Sequence, residues 1–404
     1  MEIRPILSAL LRSKTGALLI AAQVALTLAI LGNAVYIVQD RLAISARPTG
    51  VDEDNLFFIR FYGFREGIDV PAMLDADLAM MRGMPGVASV ATANMAPLTQ
   101  SGWNLSVQPN SNDPAVESTN AAFYFSSEDL VETLGLELVE GRYFTPDEVQ
   151  VVEPSIANIR PRQVVLTKAL ATQLFPEDES FVGKAVYLGD SRMEVVGVVA
   201  RLQSPWAQLG DAAERSLIVP LRQLDPAAQY LVRTEPGQLD KVMREVEDAL
   251  VAARDDRVLI ASTSLQEARA NRYRADRSLA WMLITIMGLL LMVTASGIVG
   301  MASLWVNQRR KQIGVRRAIG ARQRDILRYF LVENFMVTSF GIAIGLALAL
   351  ALNQLLVSAL EVPRLPLAYL PAGVVALWVL GLLAAWGPAW RAARIPPAEA
   401  TRSV

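Results

Sequence analysis

Two hydropathy regimes divide the chain. Four stretches are almost wholly apolar: 16–38, 279–306, 329–352 (with a helix continuing toward 360) and 368–386. A bilayer core takes roughly 20 apolar residues in a helix, so each stretch is long enough to span it. The first is followed by Gln39, Asp40 and Arg41 with no small-residue cleavage signature, so it reads as an uncleaved span, not a signal peptide. Trp281, Trp305, Tyr369, Trp386 and Trp390 fall near span ends, where an aromatic belt is expected. Glu333 is expected in the first turn of the third span, at headgroup level.

Between the first two spans the pattern shortens to alternating and mixed segments. Strands are expected at 55–62, 87–93, 229–234 and 258–262, with helices at 71–82 and 239–253. The middle portion adds short strands at 121–125, 162–167, 184–188, 193–199 and 217–221, and one helix at 168–175. This order predicts two lobes. One is discontinuous, about 50–115 and 227–265, and the other, about 116–226, is inserted in it. The loop 100–113 around Trp103 is expected to be a polar surface turn. Residues 264–278 are helix-favouring and read as a stalk running straight into the second span.

Charge gives this arrangement a direction. Residues 39–278 hold 23 Lys+Arg against 35 Asp+Glu, a net of −12, whereas the rest of the chain is +10. The basic excess sits in the 1–15 segment, the 307–328 loop and the 387–404 tail. Four spans put those three segments on one side, and the positive-inside rule makes that side cytoplasmic. The near-neutral total of −2 hides this asymmetry. At 52% hydrophobic residues and mean hydropathy +0.31, the 404-residue chain suits a mixture of membrane and soluble parts. The expected fold class is therefore membrane α-helical, four transmembrane helices with a large α+β extracytoplasmic domain of two lobes inserted between helices 1 and 2.

Candidate chemistry is sparse. The chain has no Cys and no His, which removes disulfides, thiol catalysis, histidine bases and the usual zinc sites. There is no phosphate-binding glycine loop. Glu177, Asp178 and Glu179 read as a solvated acidic loop, and Asn104-Leu105-Ser106 matches a glycosylation pattern that is common by chance. No catalytic, cofactor-binding or metal-binding residue is expected in this chain.

The informative segment is 307–328, NQRRKQIGVRRAIGARQRDILR. It is basic and helix-favouring, with Val315, Ala318 and Ile319 on one helical face and Ile326 continuing that face. Gly320-Ala321 offers a break between two helices. On charge alone, such a segment binds anionic lipid head groups. Its wording resembles the cytoplasmic loop of the FtsX/MacB family of ABC permeases, the mechanotransmission class. The resemblance rests on Arg310, Ile313, Gly314, Val315, Arg316, Arg317, Ala318, Ile319, Gly320, Ala321, Arg322, Asp325 and Ile326. It extends to Phe330–Glu333, to the ending from Pro388 to Ala400, and to Glu140–Phe144 and Val195–Val199 in the outer domain. Gln312 departs from the family's usual Glu, which removes one charge-assisted contact.

The resemblance implies a permease subunit that is not itself an enzyme. It implies that Arg310, Gln312, Ile313, Gly314, Arg316, Arg317, Ala318, Ile319, Gly320 and Ala321 meet a separate ABC ATPase, which would hold the ATP and Mg. It also implies a second permease, as homodimer or heterodimer, and a bacterial inner-membrane location with both termini cytoplasmic. A periplasmic adaptor and outer-membrane channel are further implied partners; membrane lipids are expected and nucleic acid is not. The scarcity of ionisable residues in the spans favours force transmission over a polar conduit. Export of a lipophilic or peptide substrate is the leading function. Activation of a wall hydrolase, antibiotic sensing, and lipoprotein or lipid extraction are the alternatives. Gly341 and Gly345 form a small-xxx-small pair for close helix packing.

Overall fold

The computed structural model describes residues 14–110, 113, 115–126, 129–152, 160–360 and 364–396. Arg4, Arg12 and the 397–404 end of the basic tail lie outside the described residues. Two compact units emerge, Ala46–Arg274 and the described parts of Met1–Ser45 with Ala275–Val404.

In the second of these, four helices are long and apolar enough to cross a membrane: Thr15–Ser45, Arg274–Gln308, Gln323–Ala359 and Leu367–Ala393. Their helical bodies are α1 (Lys14–Ser45), α7 (Arg274–Gln308), α9 (Gln323–Leu360) and α10 (Leu370–Ala393). All outrun the apolar stretches by a turn or more, because helix hydrogen bonding continues past the hydrophobic boundary. Helices α1 and α9 form the central pair. A Cβ on Gly341 would lie 2.7 Å from the Ala21 carbonyl oxygen, and one on Gly345 would lie 2.9 Å from that of Ala25. Only glycine permits this backbone approach. Buried polar side chains add cross-links. Asn33 Nδ2 donates to the Ala349 carbonyl at 3.1 Å, Asn353 Nδ2 to Asn33 Oδ1 at 3.1 Å, and Asn334 Nδ2 to the Gly381 carbonyl at 2.9 Å. Thr27 and Thr294 share a 2.8 Å hydroxyl contact between α1 and α7. Away from these points α7 is largely uncovered, with Trp281, Leu289, Met292 and Val293 exposed as lipid-facing residues are.

Among the described residues, the Ala46–Arg274 unit contains a four-stranded sheet, a seven-stranded sheet and a two-stranded pair. The first of these joins β1 (Leu56–Gly63), β2 (Val87–Thr92), β12 (Gln229–Thr234) and β13 (Arg257–Ser264) in the order β13-β1-β12-β2. All its pairings are antiparallel. Helices α2 (Val70–Arg82) and α5 (Leu239–Ala253) bury Met73, Leu74, Val242, Val246 and Leu250 against Phe57, Ile59 and Phe61. Asp69 caps α2, accepting from the Ala72 N–H at 3.1 Å, and Pro71 occupies a first-turn position where a missing N–H costs nothing. Inside this core Asp77 accepts from Arg257 and from the Tyr230 hydroxyl, while Arg257 Nη2 also donates to the Leu250 carbonyl at 2.7 Å. Burial, then the Asp77 charge, pushes the Tyr230 phenol pKa upward.

The larger sheet has seven strands, ordered β5-β9-β7-β10-β4-β3-β8. They are β3 (Asn104–Pro109), β4 (Thr119–Phe125), β5 (Leu138–Gly141), β7 (Gln163–Thr167), β8 (Ala185–Leu188), β9 (Ser191–Val199) and β10 (Ser216–Val219). A short pair, β6 (Gln150–Val152) with β11 (Leu221–Gln223), lies apart from it. Helix α4 (Lys168–Leu174) belongs to this region and buries Leu170, Ala171 and Leu174, whereas α3 (Leu130–Leu134), which follows β4 in the chain, lies against β2 and β12 of the smaller sheet, with Thr133 hydrogen-bonded to Ser89 at 2.7 Å. Near β5, the Arg142 guanidinium beside Glu148 holds its carboxyl down at about 2.

Three expectations change. The 100–113 loop contains a strand, β3, paired to both β4 and β8, with Val107 wholly buried and Trp103 edge-on to Phe125 at 4.9 Å. The inserted lobe therefore opens before residue 104, not near 116. The stalk is not one continuous helix, because α6 (Leu265–Arg272) ends at Tyr273 and α7 begins at Arg274. Tyr273 is fully buried and receives a 3.3 Å hydrogen bond from Gln203, so its side chain anchors in the Ala46–Arg274 unit. Glu333 is the eleventh residue of α9, because the helix begins at Gln323 rather than near 329, and it is fully buried among the helices.

Candidate functional site

The loop between α7 and α9 forms a third element, α8 (Arg310–Ala318). It turns into α9 through Ile319–Arg322. Gly320 has φ +104°, a left-handed conformation that costs a side chain dearly, although the space around it is open. The N–H groups of Gly320 and Ala321 donate to the Arg317 and Arg316 carbonyls at 3.2 and 3.0 Å, closing the end of α8. Asp325 then accepts from the Arg322 N–H at 3.0 Å, half of a capping box at the start of α9.

One side of α8 is locked to the helices. Ile313 packs with Val306, Ile326, Phe330, Ala389, Ala392 and Ala393 in a buried cluster joining α7, α8, α9 and α10. Gly314 is buried beside it, and Ala321 packs on its edge. Arg317 Nη1 donates to the Ala393 carbonyl at 2.5 Å, satisfying an open carbonyl at the C-terminal end of α10, where a cation is also favoured by the helix dipole. At the base of the loop Arg309 Nη1 donates to both Glu333 oxygens at 2.8 Å. That pair explains how a carboxylate is tolerated in the helix core.

The other side faces outward. Ile319 is 82% exposed and Val315 45% exposed. Arg310, Lys311, Gln312, Arg316, Ala318 and Arg322 are exposed around them, with Arg317 half-buried. Arg316 lies 5.2 Å from the Tyr329 ring, and Gln312 lines a shallow hollow of about 130 Å³ with Arg309 and Arg316. The single face expected for Val315, Ala318, Ile319 and Ile326 is thus divided. The turn at Gly320 rotates Ile326 inward, onto Ile313, and leaves Val315 and Ile319 uncovered. Of the residues expected to act together, Val315, Ile319, Gly320 and Arg316 share the outward edge. Ile313, Gly314 and Arg317 instead hold α8 in place, and Gly341 and Gly345 lie away from it, on the α1–α9 seam. Arg309 was legible only as one more basic residue, because its partner lies 24 positions on.

In the Ala46–Arg274 unit, the two points where the chain enters and leaves are tied together. Arg269 of α6 donates to Glu53 at 2.5 and 2.6 Å, and to the Arg47 carbonyl at 2.8 Å. Arg269 and Arg272 both lie against the Tyr273 ring, at 5.7 and 5.4 Å. Among the described residues no group of three or more acidic residues is placed to hold a metal ion, and Asp178 of the acidic loop pairs with Lys184 at 2.7 Å.

Comparison with known proteins places both parts of the chain. Residues 18–249 match the MacB-like periplasmic core domain, and residues 284–397 match the FtsX-like permease C-terminal region. The macrolide export ATP-binding/permease protein MacB of Escherichia coli K12 is 27% identical over 341 residues, which are 80% of this chain and 48% of that protein. The Shigella flexneri protein of the same name is 26% identical over the same shares. The chain spans about half the length of the curated relatives it matches. Among solved structures, the periplasmic region of MacB from Actinobacillus actinomycetemcomitans is 17% identical, covering 54% of this chain and 93% of that one, with TM-score 0.32. The extracellular domain of YknZ from Gram-positive bacteria is 16% identical, covering 50% and 100%, also with TM-score 0.32. The first of the two domain matches alone takes in more than half of the chain, so the chain belongs to the FtsX/MacB-like permease family, with a MacB-like periplasmic core domain joined to an FtsX-like membrane region.

Proposed function

We propose that the chain is the permease subunit of an ABC transporter of the mechanotransmission kind. A separate cytoplasmic ATPase, which would bind ATP and Mg, seats on the outward edge of α8. Its closure on nucleotide drives that edge, and the motion reaches the outer domain through the spans. The observation that carries this reading is the division of α8 into an uncovered apolar edge, Val315 and Ile319, and a rigidly anchored back. A solvated loop has no reason to expose Ile319 at 82% while burying Ile313 at 4%. A docking element needs both, since force delivered to a loosely held loop is lost in bending it.

The path follows from the contacts within each unit. The Ile313 cluster and the Arg309–Glu333 pair bind α8 to α7, α9 and α10. The glycine seam carries displacement of α9 to α1. The chain enters the outer unit after α1 and leaves it before α7, and Arg269 with Glu53 clamps those two segments to each other. Displacement of either span would therefore arrive at one clamped base. Two permeases with two ATPases would complete the assembly, in a bacterial inner membrane with the α8 side cytoplasmic. The function favoured is export of a lipophilic or peptide substrate, with the outer domain acting on it outside the bilayer.

Orientation is testable directly because the chain contains no native cysteine. In spheroplasts, a membrane-impermeant maleimide is expected to label Val258→Cys, which is 48% exposed in the outer unit, but not Ile319→Cys. Opening the membrane should then expose Ile319→Cys. Labelling of Ile319→Cys from outside would overturn the topology.

A further inference from the structure

A second surface on α9 has a chemistry that docking on α8 does not use. Arg324, Leu327, Arg328, Leu331, Val332 and Phe335, with Leu382 of α10, line an open groove of about 260 Å³ whose walls are almost wholly apolar. Arg324 and Arg328 are one helical turn apart on the same face, both exposed, and neither forms an ion pair among the described residues. Like charges at that spacing repel each other, and they are not neutralised here. Leu331 and Phe335 continue the same face deeper along the helix. From Arg324 to Phe335 the axial distance is about 16 Å at the α-helical rise, which spans a headgroup and the upper half of an acyl chain.

The groove is thus amphiphilic along its length, with two cations at the loop end and hydrocarbon below. We propose that it is a specific site for one anionic glycerophospholipid. The phosphate sits on Arg324 and Arg328, and an acyl chain lies over Leu331, Val332, Phe335 and Leu382. Charge complementarity and apolar length select this occupant. An acidic protein segment would satisfy the arginines but would leave the groove empty, and a zwitterionic lipid would fill the groove but bring its own cation against the arginines. The inference rests on the membrane placement of α9 and not on ATPase coupling, so either can fail without the other. Bound there, the lipid would also brace the first turns of α9 beside α8.

The test reconstitutes the full-length chain in nanodiscs of phosphatidylcholine with 10 mol% phosphatidylglycerol, re-extracts it in mild detergent, and measures retained lipid by native mass spectrometry. Phosphatidylglycerol is expected to be retained over phosphatidylcholine with roughly 30-fold preference per molecule, so that it makes up about three-quarters of the retained lipid, in line with two arginines acting at the membrane surface. Arg324→Gln/Arg328→Gln should abolish the enrichment. Val332→Trp, which fills the groove and keeps both charges, should abolish retention of the lipid. Arg310→Gln/Lys311→Gln on α8 should leave both unchanged. No preference in the wild-type chain, a preference that survives Arg324→Gln/Arg328→Gln, or a preference lost only on changing α8 would each overturn the site.

Discussion

Replacing Gly341 with leucine is expected to abolish the folded membrane unit. Even the first added carbon would stand 2.7 Å from the Ala21 carbonyl oxygen, 2.9 Å from Val24 Cβ and 3.0 Å from Ala21 Cα. Two of those three atoms are backbone, so no flexible side chain can swing away, and the two helices must separate. Overpacking of well-packed interiors typically costs about 1–3 kcal/mol and sometimes more, and here the whole seam opens, because Gly345 makes the same approach one turn on. Separation also strains the Asn33 bonds to Ala349 and Asn353, which lie further along the same pair of helices. Unfolding in a denaturing-detergent titration should show a loss of at least about 3 kcal/mol, with little monodisperse protein recovered. Gly300→Ala is the matched control, since a Cβ there meets nothing within 4 Å. Equal stability of Gly341→Leu and Gly300→Ala would refute the close α1–α9 seam.

The second large effect belongs to the Ala46–Arg274 unit. Asp77 is 3% exposed, and its carboxylate is the counter-charge of Arg257, which is 7% exposed and stands 4.6 Å from the Phe61 ring. Asp77→Ala leaves that guanidinium buried without its anion and the Tyr230 hydroxyl without its acceptor. Breaking one side of a buried pair costs about 3–5 kcal/mol, a large part of a domain's total stability. Denaturant unfolding of the full chain, followed through protease sensitivity of 46–274, should show that loss. The double replacement Asp77→Leu/Arg257→Met should recover most of it, because the desolvation penalty goes with the charges. If Asp77→Ala lies within about 1 kcal/mol of the wild type, the pair is not the keystone of the small lobe.

Much of this architecture was legible in the residues because local patterns carried it. The four spans, the strand at 229–234 and the helix at 239–253 are strong short-range signals, and the last two coincide with the observed bounds. The misread parts depend on distant partners. β3 reads as Asn-Leu-Ser-Val-Gln-Pro among turn residues, and only pairing with β4 and β8 makes its alternation a strand. The 264–278 segment is helix-favouring throughout, yet burial of Tyr273 against Gln203 interrupts it. Glu333 reads as a solvated carboxylate because Arg309, which permits its burial, is 24 residues away in sequence. The candidate site was legible as a position but not as a surface. Periodicity grouped Val315, Ile319 and Ile326, and one left-handed glycine separates them into docking edge and anchor.

Ile319 is the residue on which the coupling account turns. It is 82% exposed and packs against nothing that would destabilise the chain on substitution, so Ile319→Asp should purify as a folded protein. Placing a carboxylate at the centre of a docking edge costs on the order of 2 kcal/mol or more, or at least about 30-fold in affinity. The decisive measurement is the amount and turnover of the ABC ATPase that co-purifies with the chain from its native membranes. The account predicts that Ile319→Asp loses most of that ATPase and uncouples the turnover of the remainder from the permease. An intact Ile319→Asp chain that retains wild-type amounts of ATPase at wild-type turnover would contradict it.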